Sequence, residues 1–219
     1  MEETKVEAAL SNVHAAIFCN NVKDSQGEYT GWCESYDKDL DTLNYQSPPQ
    51  AAKMFGKHCK DAKTVLDVAT GTGKVAQLIR GKYGYDGDLD VLDFNLNMLQ
   101  QADRKKLKIR NFIQHWVDDT GELPVKEGSY DVIICVGSFV PNHVPATAMR
   151  GMLKSLKHGG AMILTTRNTK VGSYKLDFDR VLQSMIDAKE AELADKEEYK
   201  NYPGAYEHVL NVVLVLRRL

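Results

Sequence analysis

Cysteine is scarce in this sequence, and none of it is arranged to bind a metal. The 219 residues contain four cysteines, none in a C-x-x-C pair, and no group of histidines and cysteines has the spacing of zinc ligands. Scattered thiols are typical of reduced proteins, so we predict no metal site. The four positions are Cys19, Cys33, Cys59 and Cys135.

The sequence also lacks a strong net charge and a long apolar run. Its 28 basic and 30 acidic residues leave a formal charge of −2, which gives no field to attract nucleic acid. No apolar stretch approaches the roughly 20 residues of a membrane span. Glu2, Glu3 and Glu7 give the start the wrong charge for a signal or transit peptide. We therefore expect a cytoplasmic protein that neither binds nucleic acid nor spans a membrane.

Predicted strands and helices alternate from residue 64 onward. Continuous apolar runs, rather than alternating ones, are typical of a parallel sheet that is covered on both faces. Helices are expected over residues 74–83 and directly after Asn95. The five predicted strands are residues 64–69, 89–94, 112–117, 130–136 and 161–166.

The C-terminal third is predicted to add two helices and a hairpin. A helix over residues 146–156 is expected to end at Gly159 and Gly160, and another is expected over residues 176–193. A tight turn at Pro203 and Gly204 then joins two antiparallel strands. These strands are residues 197–202 and 209–216. The predicted fold class is therefore α/β, a doubly wound, Rossmann-like sheet of seven strands that is mostly parallel with an antiparallel last strand.

The first 60 residues have a more mixed pattern. We expect a short helix over residues 6–18, a polar loop over residues 24–30, and a later helix with Ser47 as its N-cap. We assign residues 1–60 to an N-terminal helical lid or extension and residues 61–219 to one compact domain.

A glycine-containing turn lies between the first predicted strand and its helix. Gly71 and Gly73 permit positive φ and let a ligand approach the backbone around Ala69 and Thr72. The free N–H groups at the start of the next helix suit an anion such as a carboxylate or phosphate. The turn therefore predicts a nucleotide-like ligand at the carboxyl ends of the strands.

The same turn fits the dinucleotide pattern G-x-G-x-x-A, which makes a nicotinamide cofactor an alternative. Asp67, directly before the turn, opposes it, because a carboxylate there repels a pyrophosphate but accepts a hydrogen bond from an ammonium group. In addition, no tyrosine is followed by a lysine four residues later, and the chain has no room for a separate substrate domain. A zwitterionic amino-acid end fits the turn better than a diphosphate does.

Acidic residues follow the next two predicted strands. Asp93 can accept hydrogen bonds from both hydroxyls of a ribose, and the alternative is that it stabilises the start of the helix near Asn95. Asp118 or Asp119, with Asp119 preferred, can accept the amino hydrogen of adenine while the Thr120 N–H meets a ring nitrogen.

These motifs in this order resemble the class I S-adenosylmethionine-dependent methyltransferases. The stretches VLDVATGTGKVA, VLDFNLNMLQQA and DDTGELPVKEGSYDVII are similar to the family's cofactor signature, especially in the ubiquinone/menaquinone-type branch. The segments GWCESYDKDLDTLNYQSPP and YKNYPG are similar to the Williams–Beuren syndrome region methyltransferase-like proteins. Ala69, Val91 and Asn95 depart from the usual glycine, glycine and serine. The resemblance implies S-adenosylmethionine as the cofactor.

Aromatic side chains that precede the first strand are expected to close over the sulfonium. Trp32, Tyr36 and Tyr45 are the candidates, since aromatic faces attract cations. The alternative is that they only pack the N-terminal segment onto the sheet. The full set of predicted cofactor contacts is Trp32, Tyr36, Asp67, Ala69, Gly71, Thr72, Gly73, Asp93, Phe94, Met98, Asp118, Asp119, Thr120 and Val136.

The methyl acceptor does not follow from these motifs, and we favour a small molecule. A sulfonium methyl is already activated, so the protein must align the acceptor and exclude water, and it needs a base only if the acceptor keeps its proton. His143, after the fourth strand, is the candidate base, whereas His115 is expected inside a strand and not catalytic. The rival functions are an NAD(P)-binding oxidoreductase and an inactive cofactor-binding protein that acts through a partner.

Overall fold

A seven-stranded sheet runs through the protein. The computed structural model describes residues 2–168 and 173–219. Its strands are β1 (Thr64–Val68), β2 (Asp88–Asp93), β3 (Asn111–Gln114), β4 (Tyr130–Cys135), β5 (Leu156–Arg167), β6 (Ala191–Tyr202) and β7 (Tyr206–Arg218). The order is β3-β2-β1-β4-β5-β7-β6, with β7 antiparallel to both neighbours and the other pairs parallel. The predicted fold class is confirmed.

Helices cover both faces of the sheet. They are α1 (Glu2–Ile17), α2 (Val22–Trp32), α3 (Tyr36–Thr42), α4 (Ser47–His58), α5 (Lys74–Tyr83), α6 (Leu96–Arg104), α7 (Ala148–Ser155) and α8 (Ser173–Asp187). Phe55 of α4 and Ile79 of α5 are buried on one face, and Met152 of α7 and Phe178 of α8 are buried on the other. Because both faces are covered, the central strands are apolar throughout, which is the pattern that the sequence showed.

The topology places a ligand crevice between β1 and β4. These two strands are neighbours, and from them the chain winds outward to β2 and β3 on one side and to β5 on the other. In open α/β sheets, ligands bind beyond the carboxyl ends of the strands at such a switch point. The glycine turn that follows β1 lies at this point.

The first three helices form a layer over the carboxyl end of the sheet. They bury an apolar cluster of their own, which includes Ala16, Leu40 and Leu43 and extends to Tyr202 of β6. By contrast, α4 belongs to the hydrophobic core on one face of the sheet, together with α5. No helix in the described ranges combines the length and apolarity that crossing a membrane requires.

The loop predicted over residues 24–30 is wrong, because these residues lie inside α2. The carboxamide of Asn21 caps the helix by accepting a hydrogen bond from the Asp24 backbone N–H at 3.0 Å. Gly27, which favoured the loop prediction, lies at a helical position with no neighbouring atom within 4 Å of an added Cβ, and the same holds for Gly31. Packing against α1 and α6 outweighs the weak helix propensity of this segment.

Ser47 begins α4 but does not cap it. Pro48 and Pro49 have no N–H groups, so a capping serine would find no donor at the second helical position. The Ser47 hydroxyl instead donates to Asn201 Oδ1 at 2.7 Å and lies 2.7 Å from the hydroxyl of Tyr199. This side chain therefore connects α4 to the C-terminal hairpin.

Two predicted helix ends in the C-terminal third are also wrong. Gly159 and Gly160 do not terminate α7, which ends at Ser155. They lie within β5, where the register with β4 shifts and Gly159 has a φ of +75°. The helix predicted over residues 176–193 ends at Asp187, because Lys189 takes a left-handed φ of +56° and the chain turns into β6.

Asp90 of β2 links three strands near their amino ends. It is buried at 2% exposure and accepts hydrogen bonds from both Nε and Nη2 of Arg110, at 2.9 and 2.6 Å. Asn111 Nδ2 and the Tyr130 hydroxyl complete the set at 2.9 and 2.8 Å. Burial acts to raise the pKa of Asp90, but these hydrogen bonds hold it below its usual range.

We predict that Asp90→Ala lowers the free energy of unfolding by about 2–3 kcal/mol, because it leaves buried donors without an acceptor. Urea denaturation of the variant and the wild type measures this difference. Asp86→Ala removes an exposed carboxylate from the same region and should change stability by less than about 0.5 kcal/mol. Equal effects of the two substitutions would contradict the structural role of Asp90.

Candidate functional site

A cavity lies beyond the carboxyl ends of β1, β2 and β4, beneath α2 and α3. It encloses about 870 Å³ of empty space, part of it open to solvent. The predicted site residues on its wall are Tyr36, Asp67, Ala69, Gly71, Thr72, Asp93, Phe94, Met98, Val136 and His143. The sequence motifs therefore converge on one site, as their order in the chain indicated.

The turn after β1 has a left-handed backbone at three positions. Gly71 and Gly73 have φ values of +56° and +77°, and Ala69 has a φ of +54°, which is unfavourable for a residue with a Cβ. Gly73 does not line the cavity. A Cβ there would lie 3.2 Å from that of Ala102, so this glycine allows α5 and α6 to pack closely.

Asp67 is buried at the end of β1 without a cationic partner among the described residues. It is 2% exposed, and its Oδ2 accepts a hydrogen bond from the Thr70 hydroxyl at 2.7 Å. Burial and, to a smaller extent, the nearby charge of Asp93 raise the pKa of Asp67 to about 7, against the opposing effect of the Thr70 hydrogen bond. A positively charged ligand would therefore stabilise the ionised form of this carboxyl group.

Asp93 fixes the glycine turn to the end of β2. Its Oδ2 accepts from the Gly71 N–H at 2.8 Å and its Oδ1 from the Asn95 N–H at 2.9 Å. Burial raises the pKa of Asp93 to about 6. The helix-cap role belongs to Asn95 instead, whose Oδ1 accepts from the N–H groups of Asn97 and Met98.

The acids after β3 lie in a groove beside the cavity rather than on its wall. The groove contains Asp118 and Asp119 and shares Trp116, Val117 and His143 with the cavity. Asp118 folds back on its own turn, where its Oδ1 accepts from the backbone N–H of residue 120 at 2.9 Å. Hydrogen bonds from the hydroxyl and the backbone N–H of Thr120 lower the pKa of Asp118.

This arrangement changes what the turn after β3 offers to an adenine. The Thr120 N–H, predicted to meet a ring nitrogen, already donates to Asp118. It becomes available only if that hydrogen bond is exchanged. Because Asp118 is occupied by its own turn, Asp119 is the better placed of the two acids to accept from an exocyclic amino group.

The aromatic residues of the N-terminal segment divide into two layers. Tyr36 and Tyr45 line the cavity, as does Tyr29, which sequence reasoning missed because it was placed in a loop. Trp32 lies behind them. Its Nε1–H donates to Asp39 Oδ2 at 2.7 Å, and its ring packs edge-on against Tyr36 at 4.6 Å.

His143 faces the cavity with both ring nitrogens engaged. Nδ1 lies 2.8 Å from the carbonyl oxygen of Pro141, which requires a proton on Nδ1, so Nε2 accepts from the Tyr29 hydroxyl at 3.0 Å. Burial lowers the pKa of His143, which favours the neutral ring. His115 also lines the cavity, and its expected position inside a strand is wrong because β3 ends at Gln114.

An ion-pair cluster that the motifs did not indicate ties α3 to the glycine turn. Asp37 accepts from the Thr72 hydroxyl at 2.6 Å and pairs with Lys105 at 2.5 Å. Lys74, at the start of α5, pairs with Asp41 at 2.6 Å. Burial acts to raise the pKa of Asp37, but the hydrogen bonds from Lys105 and Thr72 hold it below its usual value. These contacts join α3, in the roof of the cavity, to its floor, which includes the glycine turn and the start of α5.

Comparison with known proteins agrees with this geometry. The methyltransferase domain family matches residues 65–160, which include β1 to β4 and the turns between them. Methyltransferase-like protein 27 of Homo sapiens is 31% identical over 170 residues, which cover 74% of this chain and 64% of that protein. The ubiquinone/menaquinone biosynthesis C-methyltransferase UbiE of Idiomarina loihiensis is 32% identical over 103 residues, 46% of this chain and 41% of its own length.

The fold of a solved structure agrees as well. A chain in the complex between the Haloferax volcanii Trm112 methyltransferase activator and a methyltransferase superposes with a TM-score of 0.63 at 17% identity. The match covers 87% of this chain and 97% of that one. The chain spans less than two thirds of the length of the two curated relatives. From its fold, its ordered motifs and these relatives, residues 65–160 of the chain form a methyltransferase domain with the class I fold, and the chain is similar to the class I S-adenosylmethionine-dependent methyltransferases.

Proposed function

We propose that the protein transfers the methyl group of S-adenosylmethionine to a small-molecule acceptor in the cytoplasm. The observation that carries the proposal is the pair of buried carboxyl groups, Asp67 and Asp93, beside the glycine turn. Both have raised pKa values because they are buried, with no cationic side chain paired to them among the described residues. A ligand with an ammonium group and a ribose supplies the positive charge and the hydroxyl donors that they lack.

The cavity residues fit the parts of this cofactor. Asp67 would accept from the ammonium group, and the free lone pairs of Asp93 would accept from the ribose hydroxyls. Phe94 and Met98 offer apolar surfaces for the adenine, and Asp119 would accept from its amino group. Val136, directly after β4, would then lie beside the sulfonium end.

The protein's part in the reaction is alignment and the exclusion of water. The cofactor, when bound, supplies a methyl group that is already activated as a sulfonium. Tyr29, Tyr36 and Tyr45 enclose the cavity from above, and fixed positioning of two reactants is worth on the order of 7–11 kcal/mol of barrier. Tyr36 is supported from behind by Trp32, which gives Trp32 an indirect role in holding the cofactor.

We further propose His143 as the base for acceptors that must lose a proton. The Pro141 carbonyl holds the ring in the tautomer whose Nε2 is an acceptor. Tyr29 donates to this nitrogen, so the incoming acceptor either displaces the phenol or passes its proton through it. Because burial lowers its pKa, the ring is neutral and ready to accept a proton near pH 7.

The roof of the cavity is proposed to act as a lid. Within residues 1–60, the layer formed by α1 to α3 has its own apolar cluster, whereas α4 packs into the core of residues 61–219. Beside the aromatic contact of Tyr29 with Phe94, the contacts of the lid with the floor include polar ones, such as Asp37 with Thr72 and the Asn95 carboxamide with the hydroxyl of Thr30 at 2.9 Å. Polar contacts of this kind can break and form again at lower cost than a buried apolar interface.

The first prediction concerns cofactor choice. S-adenosylhomocysteine should raise the melting temperature and NAD should not, since about 100 times the Kd adds about 2.7 kcal/mol to the folded state. Asp93→Ala should weaken the affinity of the protein for S-adenosylhomocysteine by roughly one to two orders of magnitude, because charge-assisted hydrogen bonds are lost. Calorimetry measures both, with Asp86→Ala as the matched control. A melting shift with NAD alone would point to the oxidoreductase alternative.

The second prediction concerns His143. His143→Gln should reduce the rate of label transfer from radiolabelled S-adenosylmethionine into a metabolite extract by about 100-fold or more, as expected for loss of a general base. Its affinity for S-adenosylhomocysteine should stay within about twofold of wild type. Tyr29→Phe should give a smaller loss, because it removes a donor to His143 and not the base. Unchanged transfer in His143→Gln would show that the acceptor needs no base from this residue.

The third prediction concerns the lid. Hydrogen exchange in residues 2–42 should slow when S-adenosylhomocysteine is added, and more than in α8, because the lid closes on the bound ligand. Asp37→Asn should speed exchange there in the free protein by breaking the pair with Lys105. Asp103→Asn, which removes an exposed acid of α6, is the control. If the lid exchanges as slowly as the sheet without ligand, it is part of the core.

A further inference from the structure

A second, smaller cavity lies behind the sulfonium end of the main one. Tyr45 and Gly137 line both cavities. The smaller cavity extends between the carboxyl ends of β4 and β5 and the C-terminal hairpin, where it is lined by the polar residues Thr165, Arg167, Asn201 and Asn211. It lies on the side away from the groove that contains Asp118 and Asp119. An acceptor would approach the cofactor from this side.

Asn211 presents an unsatisfied hydrogen-bond acceptor in this region. The residue is 4% exposed, and its Nδ2 donates to the Ser47 hydroxyl at 3.3 Å. Its Oδ1 has no hydrogen-bond partner among the described residues. Buried amide oxygens are nearly always paired, so an orphan of this kind calls for a donor from outside the chain.

Arg167 lies directly across from Asn211. The two are partners in the antiparallel register of β5 and β7, so their side chains lie on the same face of the sheet with Cβ atoms about 4.5–5.5 Å apart. The Arg167 guanidinium is 5.9 Å from the ring centroid of Phe18, and no acidic side chain in the described part of the chain pairs with it. A cation without a counter-ion thus stands beside an acceptor without a donor.

We propose that this cavity binds the acceptor through a carboxylate on Arg167 and an adjacent O–H or N–H group that donates to Asn211 Oδ1. This inference rests on the proposed transferase function and specifies the acceptor as a small carboxylic acid. Because Arg167 and Asn211 are register partners on one face of the sheet, one small ligand could contact both side chains. The cavity is small, which suits a planar carboxylate and its neighbouring group better than a tetrahedral phosphate.

Tyr45 separates the carboxylate end from the methyl donor. Its ring stacks on Tyr202 at 5.3 Å, and its hydroxyl would lie only 2.3 Å from a Cβ at Gly137. The absence of a side chain at residue 137 thus lets this phenol stand between the two cavities. An acceptor anchored at Arg167 must pass along Tyr45 to reach the cofactor, so the methylated atom lies several bonds from the carboxylate.

The test uses the full chain, radiolabelled S-adenosylmethionine and a metabolite extract. Labelled products are loaded on a strong anion exchanger at pH 10 and eluted at pH 2, where carboxylates are neutral and phosphate esters stay bound. We expect the label in the pH 2 eluate. Arg167→Gln should lower that labelling roughly 10- to 100-fold, Asn211→Leu should lower it as well, and both should bind S-adenosylhomocysteine like the wild type.

The control is Arg104→Gln, which removes an exposed arginine of α6 and should leave labelling unchanged. Label in the unretained or phosphate fraction, or full labelling by Arg167→Gln, would overturn the carboxylate assignment while leaving methyl transfer intact. No label in any fraction, or no binding of S-adenosylhomocysteine, would instead refute the transferase function on which the assignment rests.

Discussion

Two carboxyl groups buried at the carboxyl ends of adjacent strands determine the organisation of this site. Asp67 and Asp93 receive hydrogen bonds only from neutral donors among the described residues, so each is buried at a cost that no cationic side chain there offsets. The glycine turn wraps around them because its N–H groups and the Thr70 hydroxyl are needed to satisfy their oxygens. The same requirement leaves a site where a cationic nucleoside recovers the lost free energy.

The N-terminal helices are attached to this site by side chains that the signature motifs do not include. Asp37 binds Thr72 within the turn itself, and Asn95 caps α6 with one end of its carboxamide while donating to Gln26 and Thr30 of α2 with the other. A serine at residue 95 could make the cap but could not also reach α2. The departure from the usual signature is therefore explained by contact with the lid. Any displacement of these helices must alter the hydrogen bonds of the glycine turn.

Local sequence patterns were sufficient for the core and for the buried acids. The central strands are continuous apolar runs, so their positions followed from composition, and Asp67 and Asp93 followed from their place directly after such runs. The helix α2 was missed because its glycines are tolerated only through packing against α1 and α6. Tyr29, Asp37, Arg167 and Asn211 could not be predicted, because their partners are distant in the chain and no motif marks them. The role of Thr120 was predicted without the neighbouring carboxylate that occupies its N–H.

The ionisation of Asp67 and Asp93 on ligand binding can be measured as the proton balance of cofactor binding. Calorimetric titration with S-adenosylhomocysteine at pH 6.5, in two buffers of different ionisation enthalpy, gives the number of protons released. With pKa values of about 7 for Asp67 and about 6 for Asp93, both carboxyls become ionised on binding, and we expect about one proton to be released. Most of this release should disappear in Asp67→Asn. No proton release by the wild type, or the same release by Asp67→Asn, would contradict the account.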